Sequence, residues 1–146
     1  MTNYIPSPSE RVRDQVERYE RSGGTDGAEM GGRPVILVTH RGRTTGALRK
    51  TPLMRVSAGD GYVLVGSLGG APADPLWVGN LRADPHVEIR DRAVVQPMLV
   101  REVAGDERGR LWALAVQAYP PYADYQEKTS RVIPVFIAEP QGPMTN

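Results

Sequence analysis

The chain has no cysteine, a single phenylalanine and only two histidines. Without cysteine there is no disulfide, no thiolate nucleophile and no cysteine-ligated metal site. His40 and His86 stand without a second imidazole at ligand spacing, which argues against a zinc enzyme. No apolar run approaches the roughly 18 residues that cross a bilayer. The opening Met1-Thr2-Asn3-Tyr4-Ile5-Pro6 lacks the basic and apolar regions of a signal peptide, so the expected location is the cytoplasm, without stable membrane insertion. Excess charge is also missing. Eighteen Lys and Arg against 17 Asp and Glu leave +1, which argues against a general nucleic-acid binder.

What is present is a chain of 146 residues, 40% hydrophobic and 24% charged, as in a soluble globular protein. Its cations are locally clustered. Gly42-Arg43-Thr44-Thr45-Gly46-Ala47-Leu48-Arg49-Lys50-Thr51-Pro52 joins two apolar runs, Val35-Ile36-Leu37-Val38-Thr39-His40 and Leu53-Met54-Arg55-Val56. Both runs read as strands. Five cations and no acid lie between Arg41 and Arg55. Gly, hydroxyls and guanidinium forks on one connection suit a small anionic ligand, because backbone N–H groups and charge converge where no side chain blocks the approach. A solvated turn is the plainer alternative.

Ser7-Pro8-Ser9-Glu10 predicts a capped helix to about Arg21, with a narrow apolar stripe of Val12, Val16 and Tyr19. A helix so charged is expected to pack lightly or fray, and a glycine-rich joint follows it. Residues 1–33 are thus expected to be separable from a body at 34–146 and dispensable for its folding. That body predicts strands at 34–40, 50–58, 62–67, 86–90, 94–102 and 132–138. Tyr62-Val63-Leu64-Val65 is continuously apolar, as in a strand buried on both faces. Helices are predicted from Asp74-Pro75 (Asp as N-cap) to Ala83, over 106–119, and over 122–129, with Pro120-Pro121 between the last two. The expected fold is mainly β with helices (α+β): a six-stranded antiparallel split barrel with short helices packed outside. The βαβ rhythm and glycine fingerprint of a dinucleotide fold are absent.

Four segments could carry chemistry. The first is the connection with Arg41, Arg43, Thr44, Thr45, Arg49 and Thr51. In the second, Gly66-Ser67-Leu68-Gly69-Gly70, small residues end a strand and would let a planar ligand approach the backbone. The third is Pro75-Leu76-Trp77-Val78-Gly79-Asn80-Leu81, where Asn80 among apolar neighbours needs partners if buried and Trp77 is either core or a stacking platform. Tyr119-Pro120-Pro121-Tyr122-Ala123-Asp124-Tyr125 is the fourth, a rigid rim carrying three phenols.

At these segments, and at Arg131-Val132-Ile133-Pro134-Val135, the sequence resembles the deazaflavin (coenzyme F420)-dependent nitroreductase family over about residues 34–140. The resemblance implies a split β-barrel that binds F420 along a groove, the cofactor's phosphate and glutamate tail giving the basic connection its purpose. It implies tail contacts at Arg43, Thr44, Arg49 and Pro52, and ring contacts at Ser67, Leu68, Gly69, Gly70, Trp77 and Asn80. Arg41, Thr51 and Leu76 join the cofactor-binding candidates. Thr44 and Leu68 stand where the best-known member of that family has Lys, so Arg41 or Lys50 would have to replace the missing charge, and reduction of the same nitro drug is doubtful.

The implied function is transfer of a hydride from reduced F420 to a quinone, nitroaromatic or enone, with Ser67, Tyr119, Tyr122 and Tyr125 as candidates to stabilise or protonate the acceptor. A small-molecule acceptor is the expected partner, and a homodimer is compatible with it. Two alternatives stay open. One is an FMN-binding split barrel of the pyridoxamine-phosphate oxidase type, whose signature segments are absent. The other is a non-catalytic F420 carrier, which would keep the basic groove and not need the tyrosine rim.

Overall fold

A computed structural model describes residues 3–141. In chain order the elements are α1 (Glu10–Arg21), β1 (Glu29–Met30), β2 (Arg33–Arg41), β3 (Leu48–Met54), β4 (Ser57–Ala58), β5 (Gly61–Val65), a 3-10 turn (Leu68–Gly70), α2 (Leu76–Ala83), β6 (His86–Asp91), β7 (Val94–Glu102), α3 (Gly105–Ala118), α4 (Pro121–Lys128) and β8 (Val135–Pro140). The strands form one antiparallel sheet in the order β1-β2-β6-β7-β8-β5-β4, with β3 also paired to β2. The class is α+β with a curled antiparallel half-barrel, as expected, but with eight strands instead of six.

The two additional strands have local causes. β1 adds a short pair, Glu29↔Pro34 and Met30↔Arg33. The predicted 50–58 strand divides because the chain changes partner: Met54 still faces Val35 on β2, whereas Ser57 faces Tyr62 on β5. Arg55 N–H donates to Pro34 O, while Val56 O accepts from Val63 N–H. β8 begins at Val135, not at the predicted Val132, because the preceding residues cross to other partners.

Side-chain alternation sorts the core. Ile36, Val38, Leu64, Val87, Ile89, Met98, Val100, Phe136 and Ala138 share one face of the sheet, and α2 closes that face with Trp77, Val78 and Leu81. The Trp77 and Phe136 rings meet there, tilted, with centroids 5.8 Å apart. On the other side Val63, Val65, Val135 and Ile137 pack on Leu111 and Ala115 of α3 and Tyr122 of α4. β5 is therefore buried on both faces, as its apolar run predicts. Each such aliphatic side chain contributes about 1.5–3 kcal/mol relative to exposure.

The helix starts differ in detail from the sequence reading. Ser9, not Ser7, caps α1, its Oγ accepting from Val12 N–H at 3.3 Å. Asp74 does not cap α2, which Pro75 precedes without a side-chain cap. Its carboxylate instead accepts from Arg131 Nη1 at 2.7 Å.

The light packing expected of α1 is not what the structure has. Val16 and Tyr19 are buried with Ala28, Val35 and Leu37. The Tyr19 hydroxyl faces Val35 O at 3.1 Å and Arg90 O at 3.3 Å, and accepts from Arg92 N–H at 2.7 Å. Gln15 donates to Gly27 O across the following loop at 3.0 Å. Gly24, at φ +88°, lies where a Cβ would overlap the Arg92 backbone. A stripe one residue wide is thus fastened by hydrogen bonds that composition does not reveal. Tyr19→Phe should lower stability by about 1–3 kcal/mol in urea unfolding, because a partly buried N–H loses its acceptor. A truncation starting at Gly31 should lower the melting temperature by more than this single change does.

Candidate functional site

Two cavities, of about 690 and 650 Å3, share Arg11, Met30, Thr51, Pro52, Leu68, Pro75 and Trp77 in their walls and form one continuous groove. The β2–β3 connection, β3, the start of α2 and the end of β5 build it, and Ser7 and Pro8 before α1 border it together with Arg11 and Val12 of that helix. Arg43, Thr44, Thr45, Arg49, Lys50, Leu76 and Asn80 line one end. Val65, Ser67, Gly69, Arg33 and the three tyrosines line the other.

Most candidates from the sequence therefore converge, but two lie outside the walls. Arg41 turns away: its Nη1 donates to Gly46 O at 2.8 Å, and its Nε lies 3.8 Å from Asp84. Gly70, at φ +83°, is buried against α4, where a Cβ would sit 2.7 Å from Tyr125 O. Its small size serves packing against protein, whereas Gly69, with nothing within 4 Å of its Cβ position, faces the groove.

The basic end owes its form to α2. Gly79 leaves space that the Arg43 guanidinium fills, since a Cβ there would overlap it. Asn80, buried on the same helix, accepts from Arg43 N–H at 3.0 Å and faces His40 Nδ1 with its Nδ2 at 3.2 Å. His40 Nε2 in turn lies 3.0 Å from Thr51 Oγ1. Among the described residues Arg11, Arg43 and Arg49 carry no ion pair. Lys50 is not free in that sense: it pairs with Glu20 and lies over the Tyr4 ring. Arg41 thus lies outside the wall, whereas Lys50 lines it while paired with Glu20. Arg11, which the sequence reading did not single out, enters the wall from α1.

At the other end Arg131 holds the loop after β5. Its guanidinium donates to Ala71 O at 2.9 Å, Gly66 O at 3.2 Å, Ser67 O at 2.7 Å and the Asp74 carboxylate. Three carbonyls on one planar fork fix a turn in which Leu68 takes φ +44°, a left-handed conformation that costs a non-glycine residue about 1–3 kcal/mol. Leu68 consequently stays 55% exposed in the groove. Trp77 is mostly core at 6% exposure, with the remainder turned to both cavities.

The tyrosines touch one another. Tyr119 and Tyr122 stack edge to face with centroids 4.9 Å apart, and the Tyr119 and Tyr125 hydroxyls lie 3.1 Å apart. Burial pushes the Tyr122 phenol up, and the Tyr125 hydrogen bond does the same for Tyr119. Both keep their protons at neutral pH. The Tyr122 hydroxyl makes no hydrogen bond among the described residues. His40 shifts the other way: burial, aided by the Arg49 charge, lowers it to about 4.

Residues 11–140 match the family of F420H(2)-dependent quinone reductases. The chain belongs to that family. It is 34% identical over 134 residues to an F420H(2)-dependent quinone reductase of Mycobacterium tuberculosis, covering 87% of each chain. A solved F420-H2 dependent reductase is 49% identical, with a TM-score of 0.70, over 73% of this chain and 95% of its own. A further solved relative, described as a domain-swapped dimer, is 48% identical, with a TM-score of 0.72, over 91% of this chain and all of its own. The matched span includes α1 from Arg11 on.

His40 was not among the residues selected from sequence, although it is the most perturbed imidazole of the groove. Because its folded pKa lies below the ordinary 6.5, acid favours the unfolded state. Above about pH 6.5 the ring is neutral in both states and contributes no pH dependence; as pH falls from 6.5 toward 4 it should withdraw about 3 kcal/mol of stability. Subtracting the urea-unfolding pH profile of His40→Gln from that of wild type should isolate this slope.

Proposed function

We propose that the groove holds coenzyme F420 with its anionic tail at the Arg43 and Arg49 end, and reduces a quinone at the tyrosine end. The observation that carries this reading is that Arg43 and Arg49, which carry no ion pair among the described residues, line one end of a groove whose other end is lined with phenols, with Arg11 in the stretch the two ends share. The residues fit the group. Unpaired cations suit phosphate and carboxylates, and Pro52, Leu68, Gly69 and Trp77 offer apolar walls for a planar ring. Bound there in reduced form, F420 would supply a hydride.

The chain's own contribution is alignment, exclusion of water and a proton. Arg43 and Arg49 would hold the tail and so keep the ring end in register for an acceptor, which hydride transfer requires at about 3–3.5 Å. Conversion of a quinone to a hydroquinone takes a hydride and a proton. The phenols meet the charge developing on the quinone oxygen, and one hydroxyl gives up its proton, to be replaced from water. Tyr122 is favoured as donor because its hydroxyl makes no hydrogen bond among the described residues, whereas Tyr119 and Tyr125 share one. Ser67 is 7% exposed and its carbonyl is held by Arg131, so its role is to shape the wall. Leu68 itself presents alkyl surface at the ring end, where Arg33 and Arg11 are the cations in the wall.

Fluorescence titration tests the cofactor. F420 should bind at least tenfold more tightly than FMN, and the reverse preference would overturn the assignment. Arg49→Ala should weaken F420 by about 1.5–3 kcal/mol, a loss that shrinks as salt rises. With menadione as acceptor, Tyr122→Phe should cut turnover by about 10²-fold with F420 affinity unchanged. If Tyr122→Phe is silent and Tyr125→Phe carries the loss, the proton comes from the hydrogen-bonded pair instead.

A further inference from the structure

The polar chain behind the groove has a direction, and one atom sets it. Arg43 N is a backbone N–H and can only donate, so the Asn80 atom 3.0 Å from it is Oδ1. The amide's Nδ2 then faces His40 Nδ1 at 3.2 Å. An NH2 group only donates, so His40 Nδ1 is the bare nitrogen. The ring is 3% exposed and neutral at ordinary pH, and a neutral imidazole with a bare Nδ1 carries its proton on Nε2. Nε2–H therefore donates to Thr51 Oγ1 at 3.0 Å. The Thr51 hydroxyl is occupied as an acceptor, and its own proton is left for another partner. Thr51 lines both cavities and sits where they meet.

We infer that Asn80 and His40 are positioning residues that fix the Thr51 hydroxyl as a hydrogen-bond donor toward a carbonyl or phosphate oxygen of the bound cofactor at the junction of the two cavities. This rests on the reading of the groove as an F420 site. The polarity is a specificity device. With the opposite tautomer, Thr51 would donate to His40 Nε2 and turn only lone pairs to the ligand, which would repel an oxygen. As arranged, Thr51 can donate to an oxygen there, which the opposite tautomer would not allow.

Nitrogen-15 NMR of histidine-labelled wild-type protein at neutral pH reads the tautomer without any substitution. His40 should be protonated at Nε2 and bare at Nδ1; a proton on Nδ1 would overturn the inference. Fluorescence titration with F420 reads the consequence. Thr51→Val should weaken binding about tenfold, and Thr51→Ser should restore it to within about threefold, since only the hydroxyl is at issue. Asn80→Asp removes the N–H donor, so His40 protonates Nδ1 to meet the new carboxylate, and Thr51 is reversed wherever the ring stays neutral, which the nitrogen-15 spectrum of the variant reads. Its loss should be much smaller in a Thr51→Val background than in wild type, where the added charge acts together with the reversal. Losses that multiply would overturn the relay while leaving F420 binding intact. If Asn80→Asp does not fold, the wild-type tautomer and the Val/Ser pair at Thr51 decide alone.

A deazaflavin chromophore without the phosphate tail separates the two oxygen sources. An equal Thr51→Val loss with it assigns a ring carbonyl, and a loss seen only with F420 assigns the phosphate. Wild-type protein that binds no F420 would instead overturn the groove reading, and this inference with it.

Discussion

The groove depends on the buried amide of Asn80, which fastens α2 to the β2–β3 connection. A helix of eight residues without a side-chain cap has little stability of its own. Trp77, Val78 and Leu81 bury its apolar side on the sheet, but burial is non-directional and would tolerate small rotations. The bond from Arg43 N–H to Asn80 Oδ1 does not. It sets the helix against a loop that would otherwise be solvated, brings Gly79 under the Arg43 guanidinium and closes the chain to His40 and Thr51. An amide left unpaired here would cost about 1–3 kcal/mol, so the contact specifies as well as stabilises.

Two kinds of arginine divide the remaining work. Arg131 spends its donors on three carbonyls and a carboxylate, with a side chain only 15% exposed, so it holds the Leu68 turn and has little left for a ligand. Arg11, Arg43 and Arg49 line the concave wall without an ion pair among the described residues. The acid in that wall, Asp74, is already held by Arg131, so an added anion relieves the repulsion among these guanidiniums. The same residue type is thus scaffold at one end of the groove and recognition at the other, decided by what lies within hydrogen-bonding distance.

Much of this was legible in the sequence because alternation and breakers report local geometry. β5 shows its double burial in Tyr62-Val63-Leu64-Val65, and Pro120-Pro121 separates α3 from α4. What escaped depends on distant partners. His40 reads as the end of an apolar strand, and its partners Thr51 and Asn80 are 11 and 40 residues away. Tyr19 reads as the edge of a thin stripe, yet its hydroxyl meets Arg92 N–H 73 residues on. Arg41 and Arg43 are two positions apart on a basic segment, and only the folded connection turns one to Gly46 and the other onto Gly79. The break at Arg55 was hidden because both halves of 50–58 are good strand.

A net charge of +1 leaves the protein as a whole with little long-range field to attract an anion. At physiological salt the screening length is about 8 Å, so the unpaired guanidiniums act only near the mouth of their own cavity. Under the proposed function, affinity and chemistry then sit at opposite ends. Salt should act on how tightly the tail is held, and hardly at all on proton transfer at the phenols, which are neutral. Tyr119 and Tyr122 are shifted upward and stay protonated through the neutral range, Tyr119 even with the Arg33 guanidinium over its ring, so they remain donors. Contacts remote from the reacting atoms can in this way serve the reaction: what the tail gains in binding fixes the ring against the acceptor, where orientation rather than a protein nucleophile lowers the barrier.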